Sequence, residues 1–248
     1  MNKASFTRKM GNTIAPNIEN ASKTGVLQLN NKKLEKVPEA VEKLKPTLRN
    51  IDFSNNKLQN IPVWLCHCSN LKHFNVTNNK LIDLPDEFGQ LLKLEQLTLS
   101  LNQIYKLPSS LSNLKNLKNV CLTNNRLTEF PMAFIQNPPI PLDLLDLSKN
   151  NITKVPPEIH YLHAIELNLN FNRISELSVE VAKCPRLKVL RLESNVLPLS
   201  EIHETLLIDS NISTLCLEGN LFPMKKLLER KGYEQYMERF TATKKKLY

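Results

Sequence analysis

The sequence predicts an α/β solenoid, curved, with parallel β-strands on its concave face and short helical or 3₁₀ turns on its convex face. Three observations lead there. A pattern returns at a nearly fixed period: Leu71, Phe74, Val76, Asn79, Leu81, Leu84 and Pro85 reappear 23 residues on as Leu94, Leu97, Leu99, Asn102, Ile104, Leu107 and Pro108. The same set lies 23 residues back as Leu48, Ile51, Phe53, Asn56, Leu58, Ile61 and Pro62. In each copy the apolar residues first alternate with period two, as in a strand, and then pass into a Pro-led half suited to a short turn of helix. No copy can bury its apolar face alone, so consecutive copies must stack and share one core.

The pattern L-x-x-L-x-L-x-x-N-x-L is that of the leucine-rich repeat. Nine units of about 23 residues fill 25–222, between an N-terminal segment (1–24) and a C-terminal capping helix with a basic tail (223–248). The first unit has Lys32 at the Asn position; the others place Asn56, Asn79, Asn102, Asn125, Asn150, Asn172, Asn195 and Asn220 there. A primary amide both donates and accepts, so this column is expected to be structural, satisfying backbone groups of adjacent coils inside a tight turn. The convex half should bury the columns Val41, Leu65, Phe88, Leu111, Phe134, Ile159, Val181 and Leu44, Cys68, Leu91, Leu114, Leu162, Cys184. Trp64 falls in a column that is otherwise small or acidic, which predicts partial exposure on the convex side. Two places break the rhythm. Asn137 to Pro141 lengthens the fifth return, and Ser178 and Glu201 stand where Pro is expected. Pro223 to Phe240 reads as a capping helix interrupted near Gly232, followed by an unstructured basic tail.

Composition narrows the function. No apolar run is long enough to cross a bilayer, and the first residues lack the apolar segment of a secretory signal. Five cysteines form no paired framework, and the Asn-X-Ser/Thr sequons at Asn20, Asn75, Asn151 and Asn211 read as by-products of an Asn-rich repeat. The expected location is therefore intracellular and cytoplasmic. Of the net charge of +9, residues 1–24 carry +3 and residues 223–248 carry +5, which predicts charged ends and no basic stripe along the repeats.

No catalytic constellation is present. Five glycines form no phosphate-cradling loop, and five histidines include no H-E-x-x-H. Cys66, His67 and Cys68 lack a second ligand pair at zinc spacing. Neither a metal nor a cofactor is implied, and a small-molecule ligand is disfavoured. The legible surface is the concave one, the usual binding surface of a solenoid. Its candidate partner-binding residues are Asp52, His73, Asn75, Thr98, Cys121, Asp146, Glu166, Asn168, Phe171, Arg191 and Glu193, polar at first and acidic later, a face that disfavours nucleic acid. Leu101 and Phe171 occupy the slot before the ladder Asn, where Asn31, Asn55, Asn78 and Asn124 stand elsewhere; a large apolar residue on a rim could anchor a partner. Met10-Gly11-Asn12-Thr13-Ile14-Ala15 contains the start of an N-myristoylation signal, with Gly11 the lipidation candidate if translation begins at Met10.

Several segments resemble their counterparts in small intracellular leucine-rich-repeat proteins: Tyr236-M-E-R-F-T-A-T-K-K-K, Cys184-P-R-L-K, Glu166-L-N-L-N and Glu218-G-N-L-F. The resemblance runs from Met10 to the C-terminus. It implies a protein with few other domains and no catalysis, whose relatives begin Met-Gly-Asn and carry a lipid on the residue equivalent to Gly11. The nine residues before Met10 and the Pro138-Pro139 loop depart from that pattern. The leading expectation is a non-enzymatic interaction module or scaffold that binds a protein partner, with contact to a membrane surface through myristoyl-Gly11. The alternatives are a nucleic-acid or ribonucleoprotein component and an adaptor or regulator of a ligase or phosphatase.

Overall fold

Nine three-residue strands run parallel in one sheet, in chain order, in a computed structural model that describes residues 3–245, with side chains from residue 14 onward. They are β1 (Val26–Gln28), β2 (Asn50–Asp52), β3 (His73–Asn75), β4 (Gln96–Thr98), β5 (Asn119–Cys121), β6 (Leu144–Asp146), β8 (Glu166–Asn168), β10 (Val189–Arg191) and β11 (Thr214–Cys216). The central residue of each points inward and is buried, from Leu27 through Ile51, Phe74 and Leu97 to Leu190 and Leu215, while its neighbours face out. Period-two alternation thus becomes one apolar row under a polar sheet face. Both predicted convex columns are buried, and Trp64 is half-buried against them.

The convex returns are 3₁₀ helices of three to six residues. Pro38, Pro62, Pro85, Pro108, Pro131 and Pro156 precede them in extended conformation, where a fixed φ costs nothing. The later returns differ from the sequence reading. Ser178 replaces Pro by capping Val179–Lys183, its hydroxyl accepting from the Glu180 N–H at 3.2 Å. Pro198, three residues before Glu201, leads the next return; Glu201 ends it, and its carboxylate accepts from Leu177 N–H at 2.9 Å. A second parallel pair, β7 (Lys154–Val155) with β9 (Glu176–Leu177), lies outside the main sheet and has no counterpart in the sequence expectation.

The ladder asparagines hold the turn after each strand. Asn102 is buried; its Nδ2 donates to Val76 O (3.0 Å) in the preceding coil and Leu99 O (2.9 Å) in its own, while its Oδ1 accepts from Leu81 N–H (3.0 Å). The other seven make the same three bonds, with Asn56 also accepting from Lys32 N–H.

Both ends of the stack are closed by helices. At the N-terminus α1 (Lys3–Thr24) lies over the first coil, burying Ile14 and Ala21, with Asn17 Nδ2 donating to Gln28 O at 2.8 Å. Gly25 ends it at φ +74°, and a Cβ there would come within 2.6 Å of Thr47 O. The sequence reading left 1–24 without structure, because its apolar residues are few and only the first coil's open face makes them worth burying. At the C-terminus, α2 (Glu204–Ile208) follows the 3₁₀ return Leu199–Glu201 in the same coil, and Lys225–Leu228 (α3) precedes α4 (Tyr233–Lys245) across Gly232. Helix α4 covers β11: Tyr236 Oη accepts from Leu215 N–H, and the Arg239 guanidinium donates to the carbonyls of Leu207, Ile208 and Ile212. Residues 241–245, expected as tail, continue this helix; Lys246 lies outside the described residues.

Replacing Asn102 by Ala leaves the buried Leu81 N–H without a partner and removes one of the two amide donors that reach Val76 O and Leu99 O, whose other donors are Asn79 and Asn125; it should destabilise the protein by about 2–4 kcal/mol. Urea unfolding should show this as a lower midpoint, while Lys32→Ala in the first coil stays within about 0.5 kcal/mol of the parent.

Candidate functional site

Register places most predicted concave residues in two rows. Asp52, Asn75, Thr98, Cys121, Asp146, Asn168, Arg191 and Cys216 are successive partners across the sheet, and His73 and Glu166 lie in the row two residues earlier. Glu193 stands just past its strand. The carboxylates gather late: Glu166 accepts from Arg191 Nε at 2.6 Å, and Glu193 accepts from the Asn170 side chain, whose Oδ1 takes the Glu193 N–H at 2.8 Å. The Glu166 contact raises the Arg191 pKa further.

Four of these residues also have a local task. Asp52, Asn75, Asp146 and Asn168 each accept from the N–H two residues on, at Ser54, Thr77, Ser148 and Asn170. Such Asx bonds steer the chain out of the strand. Asp and Asn do this equally well, so only the charge of Asp52 and Asp146 is left over for a partner.

Phe171 lies three residues beyond the end of β8, at the edge of the concave face. It sits with Leu101 on the rim where the strands exit, in a column with left-handed backbone throughout: Asn31, Asn55, Asn78, Leu101, Asn124, Lys149, Phe171 and Ser194 have φ between 54° and 58°, and Gly219 has 77°. Asn and Gly tolerate this conformation and branched or bulky residues do not. Leu101 and Phe171 are nevertheless 45% and 53% exposed, with Lys149 Nζ 5.7 Å from the Phe171 ring centre.

Beside this column runs a basic stripe that the sequence reading excluded. The residues directly after the ladder position in the first seven coils are Lys33, Lys57, Lys80, Gln103, Arg126, Asn151 and Arg173. Backbone bonds keep them in register: Lys57, Lys80, Gln103, Arg126, Asn151 and Arg173 each donate to the preceding coil at 2.7–3.0 Å. The five cations are exposed, and none makes an ion pair with a described residue. The opposite edge mixes the two signs (Arg49, Lys72, Glu95, Lys118, Asp143, Lys188) and forms two ion pairs, Lys72–Glu95 (2.8 Å) and Arg186–Asp143 (3.6 Å). Near-neutral net charge over 25–222 hid the stripe because acidic residues went to other columns. The signal was available in the dipeptides at the ladder: K-K, N-K, N-K, N-Q, N-R, N-N, N-R. Cations one coil apart repel by at most about 0.9 kcal/mol in water, so the arrangement is tolerated but not self-stabilising.

Among the described residues, no cluster of three metal-ligating side chains exists and no helix is long and apolar enough to cross a membrane. Cys66, Cys68 and Cys184 are buried, and desolvation pushes their thiols up to about 12, 11 and 12. Cys66 faces the core as fully as Cys68, which its column did not indicate. Cys121 and Cys216, half-buried on the concave face, are also raised by burial. Gly11, the lipidation candidate, falls within the span of α1 but outside the residues whose side chains are described.

With this geometry in hand, comparison with known proteins is direct. The Leucine Rich Repeat family model matches residues 47–68, 70–91 and 141–162. A leucine-rich-repeat protein of Leptospira interrogans superposes with a TM-score of 0.69 at 30% identity, over 86% of this chain and 60% of that one. TLR13, in a complex with ssRNA13, gives 0.70 at 26% identity, over 82% of this chain and 30% of that one. An internalin, InlF, of Listeria monocytogenes gives 0.69 at 20% identity, over 82% and 57%, and shares the fold. The chain is thus a leucine-rich-repeat solenoid, spanning 60% or less of the length of these structures.

Two outcomes follow. Leu101→Asn and Phe171→Asn should each raise stability by about 0.5–1 kcal/mol, read as a higher urea midpoint, because Asn relieves the left-handed strain. At pH 8, a thiol reagent such as DTNB should modify Cys121 and Cys216 first, and reach Cys66, Cys68 and Cys184 only on unfolding.

Proposed function

We propose that the chain is a non-enzymatic scaffold that binds a protein partner on its concave face, working inside the cell in the cytoplasm. The observation that carries this reading is the acidic group formed by Asp146, Glu166 and Glu193 on an open, curved sheet. Stacking requires inward leucines, ladder amides and Asx bonds, and it does not require this charge. A partner surface with basic character complements it. TLR13 is in complex with ssRNA13, so RNA is the ligand to test against; an acidic concavity repels a phosphate backbone.

The same reading includes a reversible membrane tether through myristoyl-Gly11, supported by Met10-Gly11-Asn12 and the nearby basic Lys23. One acyl chain binds membranes only marginally, so the tether would be weak and switchable. Intact mass of the native protein decides it: a chain beginning at Gly11 with an added myristoyl group supports the tether, and a chain beginning at Met1 removes it.

The concave reading is tested with Asp146→Asn combined with Glu166→Gln. Asn75 and Asn168 already make the Asx bond with an amide, so the first substitution preserves it, and Glu166→Gln keeps an acceptor for Arg191 in a half-buried pair that contributes about 1 kcal/mol. The double variant should therefore melt within about 2 °C of the parent. Recovery of the partners identified by proximity labelling should fall at least about tenfold, equivalent to about 1.4 kcal/mol. An unchanged partner set would count against the concave face.

A further inference from the structure

We infer that the strand-exit rim is a second interaction surface, separate from the concave face, and that it takes an extended acidic protein segment with a bulky apolar side chain near its centre. Three observations converge on this occupant. The first is charge: Lys33, Lys57, Lys80, Arg126 and Arg173 form a straight column with no acidic member and no partner among the described residues. The opposite edge of the same molecule mixes acidic with basic residues and forms two ion pairs, so this single-sign column is not the ordinary mixture of a solvated surface.

The second is shape. A shallow cleft of about 350 Å³ opens at the break in the stripe, lined by Asn78, Leu101, Gln103, Asn124 and Arg126 among others. Ile82, Leu101 and Tyr105, 48%, 45% and 50% exposed, lie in the two coils around it. The cations therefore flank a mostly polar cleft whose one apolar lining residue is Leu101, with Ile82 and Tyr105 exposed farther along the same two coils. Leu101 occupies a left-handed position where four other coils use Asn, so the fold itself disfavours leucine there. Contact with an apolar group of a partner accounts for a residue that stacking does not.

The third is length and backbone chemistry. From Lys33 to Arg173 is six coil steps, about 29 Å at a strand-like spacing, and an extended peptide covers that in about nine residues. The column beside the stripe offers amides, with Asn78 Nδ2 donating to Asn55 Oδ1 at 2.8 Å, and further amides at Asn31 and Asn124. Amides suit a peptide backbone. A nucleic-acid strand would call for repeated stacking platforms, and the two rings on this side, Tyr105 and Phe171, lie three coils apart, each with a lysine already over it (Lys106 and Lys149).

The test pans a displayed library of random 12-residue peptides against the immobilised full-length protein at about 150 mM salt. The expected winners are rich in Asp and Glu with a central Leu, Ile, Phe or Trp. Binding of a selected peptide should weaken at least about 30-fold for Lys57→Glu combined with Lys80→Glu and Arg126→Glu. It should weaken about tenfold for Leu101→Asn, a change that favours folding, so the loss cannot be a folding defect. Replacing the peptide's central apolar residue by Ser should abolish its sensitivity to Leu101→Asn. The concave double variant Asp146→Asn with Glu166→Gln should leave peptide affinity unchanged, which separates this surface from the concave one. Enrichment without acidic residues, or equal binding to the charge-reversed protein, would overturn the inference. So would a 12-nucleotide single-stranded RNA that binds more tightly than the selected peptide and is lost on charge reversal, since that assigns the stripe to phosphate.

Discussion

Everything in this structure depends on how one side-chain amide resolves a backbone problem. Each coil must turn sharply out of a three-residue strand, leaving carbonyls and an N–H inside the stack with no sheet partner. The ladder Asn donates to a carbonyl of its own coil and one of the preceding coil, and accepts the preceding coil's N–H, as Asn79 does with Val76, Phe53 and Leu58. Because its bonds join two coils, the residue sets the spacing as well as the turn. The Phe53, Phe74 and Phe88 rings then meet edge-on at 6.3 and 5.6 Å, and leucines fill the remaining layers.

That constraint also sorts surface residues into those the fold uses and those it leaves over. On the concave face, Asp52, Asn75, Asp146 and Asn168 serve the Asx bond, so their polarity is structural even though they point outward. The carboxylate charge of Asp146, Glu166 and Glu193 is not needed for any of this, and neither is the apolar bulk of Leu101 and Phe171 or the row of cations on the rim. Two surfaces of opposite sign result: an acidic concavity towards the C-terminal half and a basic rim along the first seven coils. A scaffold with two such surfaces can hold partners of different character at once.

Much of the fold was legible in the residues. The inward strand positions, both convex columns and the ladder all lie where the period puts them, because each coil meets the same neighbours and repeats the same solution. The ends were not legible, since they meet no second coil. Helix α1 is placed by the open face of the first coil through Ile14 and Ala21, and α4 is continued to Lys245 by the packing of Tyr236 and Arg239 against the last. The short β7–β9 pair depends on two convex segments being drawn into register, which no local pattern announces. The candidate site was partly legible: alternation and period place the outward strand rows and put Phe171 and Leu101 in one rim column, and the basic stripe was missed by summing charge along the chain when it segregates by column.

The sequence by itself therefore determined the repeat, the direction of the nine strands of the main sheet and the buried layers, because these follow from periodicity and the requirement to satisfy backbone groups. Tertiary structure alone decided which residues 23 apart in the chain become neighbours about 5 Å apart in space. Charge and exposed apolar surface act over such distances, and so the acidic concave group and the basic rim take shape only when the coils are stacked.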